Sequence, residues 1–353
     1  MDETRIFGKI PDEVLPVVRP DPTNFHIPLH PDMLPRCAID WQDVSNSSFY
    51  CYPTASGRTL DTTIEERHMY LKLHYDGVLC RVNRSLPEHK AIAGVEVSEE
   101  LSRASSNSLL PQSFSFFPEV AAITHTGKYG EIACVLRNAT PFPQTRRSHA
   151  LIPFFSLFSR DIRSQTDPSL LEQILSASST PKNLLLDNVI LWVLESYVAM
   201  VRVLGLIPEI NAQNILLAVD GCGSPCGVVL RDLMGVEKDV DARTRLGLTT
   251  AFKAGQYKKI SREMDEGLYY VRHSFSYDFK LCHYVIEPLI RDASASFGWS
   301  VGKLAQAVRK LFITQFGEER FSYFVPYDKW FSHPKVMLTH NRPYVSNSRP
   351  LYR

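Results

Sequence analysis

The 353-residue chain contains no HExxH, GxSxG, GxGxxG or GxxxxGK[ST] string. It therefore lacks the usual sequence signs of zinc peptidases, serine hydrolases, dinucleotide enzymes and P-loop nucleotidases. Neither charge is in surplus: 39 basic residues face 38 acidic ones, which leaves no overall field to hold a nucleic acid or an anionic membrane. Any polyanion must be met by a local site. Glycine and proline, at 17 and 23 residues, are too few for a collagen-like or low-complexity chain, and 44% hydrophobic with 22% charged is globular composition. The opening MDETRIFGKIPDEV has neither the basic start nor the apolar run of an export signal, so the chain is expected in the cytosol.

Long apolar runs are equally scarce. The best, Leu184 to Ile207, is interrupted by Asp187, Glu195 and Arg202, which a hydrocarbon phase penalises. At about 100° per residue these three fall on one narrow stripe, as on a mostly buried helix of a water-soluble core. The seven cysteines, Cys37, Cys51, Cys80, Cys134, Cys222, Cys226 and Cys282, are odd in number and scattered, which reads as reduced thiols. Cys222 and Cys226 could form half a zinc site, but no second pair or nearby His supplies the other ligands.

The length suits two domains or one with appendages. The first 55 residues, rich in Pro, read as an irregular opening segment with brief strands. Tyr70–Tyr75 and Val78–Asn83 alternate around Asp76-Gly77, predicting a tight hairpin with one buried face and one polar face bearing Tyr70, Lys72, His74, Arg81 and Asn83. A short helix is expected over Ser98–Leu109, and strands over Phe114–Thr124 and Ile132–Asn138. HTGKYG, at His125–Gly130, reads as a turn. After the break Thr140–Ser148 the pattern turns helical: Ser169–Ala177, Leu184–Leu204, His283–Ala293 with a kink at Pro288, and Val301–Phe312. Within it lies one hairpin, Ile215–Asp220 with Val228–Leu233. The expected fold class is α+β: an antiparallel β-sheet region, 1–148, followed by a mainly helical region, 149–353, containing that hairpin.

Two blocks carry the candidate chemistry. In Glu209–Gly235, Gly205 and Pro208 stop the long helix, and a polar loop presents Glu209, Asn211, Gln213 and Asn214. The hairpin then returns to Arg231 and Asp232. An amide oxygen and a carboxylate so placed match the way protein kinases hold Mg²⁺ against ATP phosphates with hard oxygen ligands. The plainer alternative is that these polar side chains brace the loop backbone. In the second block, Ser56, Arg58 and Thr59 offer two hydroxyls and a forked guanidinium to phosphate oxygens, and Lys72 follows on a strand as a fixed point charge. Taken singly, these residues read as a turn and a solvated strand position.

The order of short blocks resembles the NRPS-independent siderophore (NIS) synthetases, the aerobactin-synthetase-like family. The blocks are FHIPLHPDML at Phe25–Leu34, YPTASGRTL at Tyr52–Leu60, YLKL at Tyr70–Leu73, EINAQN at Glu209–Asn214 and VVLRD at Val228–Asp232, with HPKVML and NSRPL in the tail. They are similar to that family's PxHPWQ, SxRT, KL, ExHxQN and RD strings, and to its closing KAxL and NPL. The resemblance implies the palm and thumb part of those enzymes. It implies Ser56, Arg58, Thr59, Lys72 and Arg84 as ATP phosphate contacts, with Arg81 the second choice for the last. Gln213, Asn214 and Asp232 then hold the nucleotide, with Asn214 and Asp232 on Mg²⁺, and Arg58, Lys72 and Asn211 stand at the reaction centre. Asn211 occupies the His position of ExHxQN. HPDM stands for HPWQ, and a preceding region with an HPxHPxxK string has no counterpart in this sequence.

The implied activity is adenylation of a citrate-like polycarboxylic acid and its condensation with an amine or alcohol. ATP and Mg²⁺ are the implied cofactors, and no nucleic acid or membrane is a partner. The resemblance leaves room for a homodimer or a complementary N-terminal subunit. Two alternatives compete: a degenerate or split homologue that binds nucleotide, carboxylate or a partner without turnover, and a kinase-like phosphotransferase built on Asn214, Asp232 and Lys72.

Overall fold

The computed structural model describes residues 3–19, 26–36, 50–79, 82–128, 130–144, 148–164, 166–324 and 351–353. Arg81, Arg146, Arg147, Arg342, Arg349, Cys37, Cys80, Phe25, the HPKVML string and all of NSRPL but Leu351 lie outside these residues.

A six-stranded antiparallel sheet is built from β1 (Glu3–Gly8), β2 (Cys51–Pro53), β3 (Thr59–Ile64), β4 (Arg67–Leu73), β8 (Glu119–Gly127) and β9 (Gly130–Asn138), in the order β1-β8-β9-β4-β3-β2. Between them in sequence come the short pair β5 (Val78–Leu79) and β6 (Val82–Asn83), then β7 (Phe114–Phe116). One face of the large sheet is apolar: Leu71, Leu73, Ala121, Ile123, Cys134 and Leu136 pack with Ile10, Val14 and Val18. The other face is covered in part by the helix Glu88–Ser106, where Ala91 and Val95 meet Ala122, Ala133 and Val135.

The expected hairpin around Asp76-Gly77 does not form. Tyr70–Leu73 belongs to β4, which pairs with β3 on one side and β9 on the other. The turn lies at Glu65-Glu66, both at positive φ (45° and 68°), with Ile64 opposite Arg67. That is the conformation of a two-residue turn normally made by Asn-Gly. Two glutamates give no such signal in the sequence. The supposed solvent face is in fact buried: Lys72 is 5% and His74 7% exposed. β4 is an interior strand, and both its faces are covered.

A second sheet, β10-β12-β13-β7, comprises β10 (Ala150–Pro153), β12 (Ile215–Val219), β13 (Pro225–Leu230) and β7, which runs parallel to β13. The expected hairpin is thus present, with β13 starting at Pro225 and ending before Arg231. A third small sheet joins β11 (Leu206–Ile207), β14 (Glu237–Asp239) and β15 (Lys259–Ile260) in that order.

The helices are longer than the periodicity suggests. The one expected at Ser98 starts at Glu88, because Glu96 and Ser98 are buried and break the apolar pattern. The one expected at His283 continues a helical run from Arg262. Wide i→i+5 turns over Phe275–Ile286 pass without a break into the regular helix Glu287–Phe297, so Pro288 lies within the helical run, just where the turn width changes, as expected of a proline that removes one rung of the ladder.

The helical stretch Pro181–Leu204 is long and apolar enough, by length and composition, to cross a membrane. Its residues Val193, Leu194, Tyr197, Met200 and Val201 lie in the main core, against Leu217, Leu230, Tyr277 and Phe316. Each such side chain contributes about 1.5–3 kcal/mol by leaving water. Its polar stripe faces outward, with Arg202 donating to Glu319 at 2.7 Å and Gln315 to Glu195 at 3.4 Å. Gly205 ends the helix at φ 58°; a Cβ there would meet Arg243 Cγ at 2.5 Å, so only glycine suits the stop.

Candidate active site

Register fixes which side chains share the partly covered face of the large sheet. Thr59 pairs with Lys72 and Lys72 with Val135, while Tyr70 pairs with Arg137 and Arg137 with Glu119. Strand alternation then places Lys72, Tyr70, Arg137 and Glu119 together. From the other sheet, β13 leaves its ladder at Leu230 and the chain turns sharply. Asp232 adopts φ 67°, ψ 74°, a conformation short polar side chains tolerate. Its carboxylate is thereby carried onto that face.

The result is a direct contact between the two blocks: Lys72 Nζ donates to Asp232 Oδ1 at 2.6 Å. Arg137 lies 4.0 Å from the same oxygen and 2.5 Å from Glu119 Oε1. Glu119 is fully buried and Arg137 nearly so. Burial alone would raise the Asp232 carboxyl, but the Lys72 ammonium and the Arg137 guanidinium outweigh it and hold the group well below its ordinary value. Burial works against the charge of Arg137, yet Glu119 and Asp232 hold its pKa above normal. Burial lowers Lys72, Arg58 and Arg231 from their ordinary values, and Asp232 opposes the shift in each. Four cations thus surround Asp232 and Glu119, leaving the cluster positively charged for an anionic ligand.

The SGRT turn borders this cluster. Ser56 Oγ accepts from Thr59 N at 3.0 Å and lies 3.1 Å from Thr54 Oγ1. Arg58 Nη1 donates to the Arg84 carbonyl, and Arg84 follows β6, its Nε 3.4 Å from Leu79 O. Arg84 and Arg137 both act on Arg58 electrostatically. The HPDM segment supports the turn: His30 Nε2 donates to Gly57 O at 3.1 Å while its Nδ1 accepts from Asp32 N at 3.2 Å.

The loop after the long helix adjoins the strand end that bears Asp232. Asn211 Oδ1 accepts from Gln213 N at 2.9 Å and Asn214 N at 3.1 Å. Its oxygen therefore braces the loop, and only its amide nitrogen is left to meet a ligand. Gln213 is exposed, and its carbonyl accepts from Arg231 Nε at 2.9 Å. Asn214 is 8% exposed. Its side-chain nitrogen lies 3.4 Å from Glu209 O, and its carbonyl accepts from Arg231 N at 2.8 Å, which ties it to the strand end bearing Asp232. Glu209 itself pairs with Lys280.

Arg137, Glu119 and Lys280 escaped sequence reasoning as site members, and Arg231 is named there only as the hairpin end beside Asp232. The one available signal was a charge set within otherwise apolar strand runs, at Glu119 and Arg137.

Among the described residues no group of three or more His, Cys, Asp or Glu side chains could hold a metal. Mg²⁺ suits a different donor set, one or two carboxylates plus substrate phosphates. Asp232, whose side chain is 38% exposed, supplies one such carboxylate, and Asn214 is tied by its backbone to the strand end that bears it.

Residues 39–159 match the sequence model of the IucA / IucC family. The chain is NIS synthetase-like. A search of curated proteins found no match.

Its fold is that of solved siderophore-biosynthesis proteins. The petrobactin biosynthesis protein AsbB from Bacillus anthracis str. Sterne superposes with a TM-score of 0.75 at 17% identity, over 93% of this chain and 59% of that one. ATP-bound aerobactin synthetase IucA from a hypervirulent pathotype of Klebsiella pneumoniae gives 0.73 at 17% identity, over 99% and 67%. Aerobactin synthetase IucC from the same source gives 0.67 at 19%, over 92% and 59%. The NIS synthetase-like chain thus spans about three fifths to two thirds of the length of these proteins.

Proposed function

We propose that the chain is an ATP-dependent carboxylate ligase that adenylates a citrate-like polycarboxylic acid and joins it to an amine or alcohol in siderophore-type biosynthesis. The observation that carries this reading is the convergence of Lys72, Arg58, Arg137 and Arg231 on Asp232 across two sheets. A triphosphate needs such a surplus of cations beside one hard-oxygen corner.

In this reading the substrate carboxylate attacks the α-phosphorus, the bond to the β-phosphate oxygen breaks, and pyrophosphate leaves. The amine or hydroxyl then attacks the acyl carbon and AMP departs. Arg58 and Lys72 neutralise charge developing on the phosphates, while Ser56, Thr59 and Arg84 align them from the turn side. Asp232 and Asn214 would hold Mg²⁺, which supplies Lewis-acid stabilisation of the departing pyrophosphate. Asn211 and Gln213 shape the wall against which the nucleotide lies. The reading sets the chain in the cytoplasm, where ATP is supplied.

The test is incubation with citrate, hydroxylamine, ATP and Mg²⁺. Hydroxamate together with AMP and pyrophosphate is the expected result. ADP in place of AMP would replace the ligase with a phosphotransferase. A second reading, nucleotide or carboxylate binding without turnover, is favoured by one observation: the oxygen of Asn211 is spent on backbone amides, and no imidazole stands there to move a proton. Nucleotide binding without consumption over a panel of polycarboxylic acids would establish that second reading.

A further inference from the structure

Among the described residues, Glu119 is the one carboxylate buried beneath the cluster, with 0% exposure. Its Oε1 accepts from Arg137 Nη2 at 2.5 Å, while Oε2 has no hydrogen-bond partner. Arg137 Nε is likewise buried without a partner. Leaving such groups unsatisfied costs stability, so the pair is poorly explained as a device for holding the fold. The helix above it is shaped to admit it: a Cβ at Gly94 would lie 1.9 Å from Glu119 Oε2. Arg137 in turn stands 4.0 Å from Asp232 Oδ1, beyond hydrogen-bond reach but close enough for strong attraction.

We infer that Glu119 and Arg137 are a positioning pair for Asp232. Glu119 anchors the guanidinium, and the guanidinium holds the Asp232 carboxylate turned toward the cation-rich face. Lys72 is the direct partner of Asp232, and Arg137 sets its orientation from behind. The inference rests on the nucleotide-site reading and deepens it, because it assigns a role to two residues that the phosphate-contact set does not contain.

The experiment measures ATP binding by calorimetry, with and without Mg²⁺, together with thermal midpoints. It uses the full chain as wild type, Arg137→Gln, Glu119→Asp and the double variant Glu119→Leu/Arg137→Met. The single change Arg137→Gln strands a buried carboxylate and should lower the midpoint. The double change removes both charges, and stability should return. If the pair positions Asp232, MgATP binds at least tenfold more weakly to the double variant despite its recovered midpoint. ATP without Mg²⁺ then changes by less than threefold.

Wild-type MgATP affinity in a stable double variant makes the pair structural and overturns the inference. An equal loss with and without Mg²⁺ overturns it in favour of direct phosphate contact by Arg137. Should the double variant not fold, Glu119→Asp, which retracts the anchor by one methylene and keeps both charges, decides by the same threshold. A wild type that binds no ATP at all removes the nucleotide site itself, a result distinguishable from a wild type that binds while the variants match it.

Discussion

Lys72 and Asp232, 160 positions apart in sequence, meet at 2.6 Å, but they are not equally sheltered. The Lys72 side chain is 7% exposed and that of Asp232 38%. Removing either partner therefore leaves the other in a different predicament. Asp232→Asn strands an ammonium with little access to water and with Arg137 nearby, and should cost roughly 3 kcal/mol. Lys72→Met leaves a carboxylate that water can reach and should cost about 1 kcal/mol. Urea unfolding of the two variants measures the difference; equal losses would mean that solvent access does not govern this pair.

Among the described residues, the Arg58 side chain donates to one backbone carbonyl, that of Arg84. Arg58→Ala should therefore leave the thermal midpoint within a few degrees of wild type. ATP-dependent pyrophosphate release should fall by about 10² or more, the usual loss on deleting a transition-state donor. Retained turnover would remove Arg58 from the reaction centre.

Acid sensitivity should trace in part to Asp239, which follows Asp232 in the chain and ends β14. Its Oδ2 accepts from Tyr269 Oη at 2.8 Å and lies 3.0 Å from His273 Nε2, and its Oδ1 caps Ala242 N at 2.9 Å. Burial alone would raise this carboxyl, but the bond to His273, the charge of that ring and the other donors hold it below the ordinary 3.8. A depressed carboxylate contributes stability that is complete above its unfolded pKa and is lost as pH falls through the lower folded value. The urea midpoint of wild type should therefore fall more steeply than that of Asp239→Asn as pH drops from about 3.8 downward. Parallel profiles would show that Asp239 carries no linked stability.

The Glu65-Glu66 turn offers a gain. Both residues sit at positive φ, where Asn and Gly are at home. Glu65→Asn with Glu66→Gly should raise the unfolding free energy by about 1 kcal/mol, readable as a rise of a few degrees in the thermal midpoint. A fall would mean that the glutamates make contacts that outweigh the backbone relief.

What the sequence made legible follows from how local each signal is. Val301–Phe316, capped by Ser300 Oγ, and the long helix stopped at Gly205 announce themselves within one stretch of chain. So does the hairpin at Ile215–Leu230, with its GCGSPCG turn. The β3–β4 turn did not, because its strain is borne by residues with no turn preference, and misplacing it turned an interior strand into an exposed one. The polar row on β4 and β9 was half seen: Lys72 came through its resemblance to a family string. Arg137 and Glu119 did not, since their partnership depends on register between β8 and β9 and on a glycine in a helix packed above them. No stretch of sequence contains that relation.

The chain from Phe114 to Gly127 runs first as β7 beside β13 and then, two residues later, as β8 in the large sheet. It is a short tether between the layer that bears the cations and the layer that delivers Asp232. Two walls stitched together so near their meeting line have little freedom to swing apart like a clamshell. Access for a molecule as large as a nucleotide then falls to the rim, and above all to the exposed Thr54–Gly57 turn.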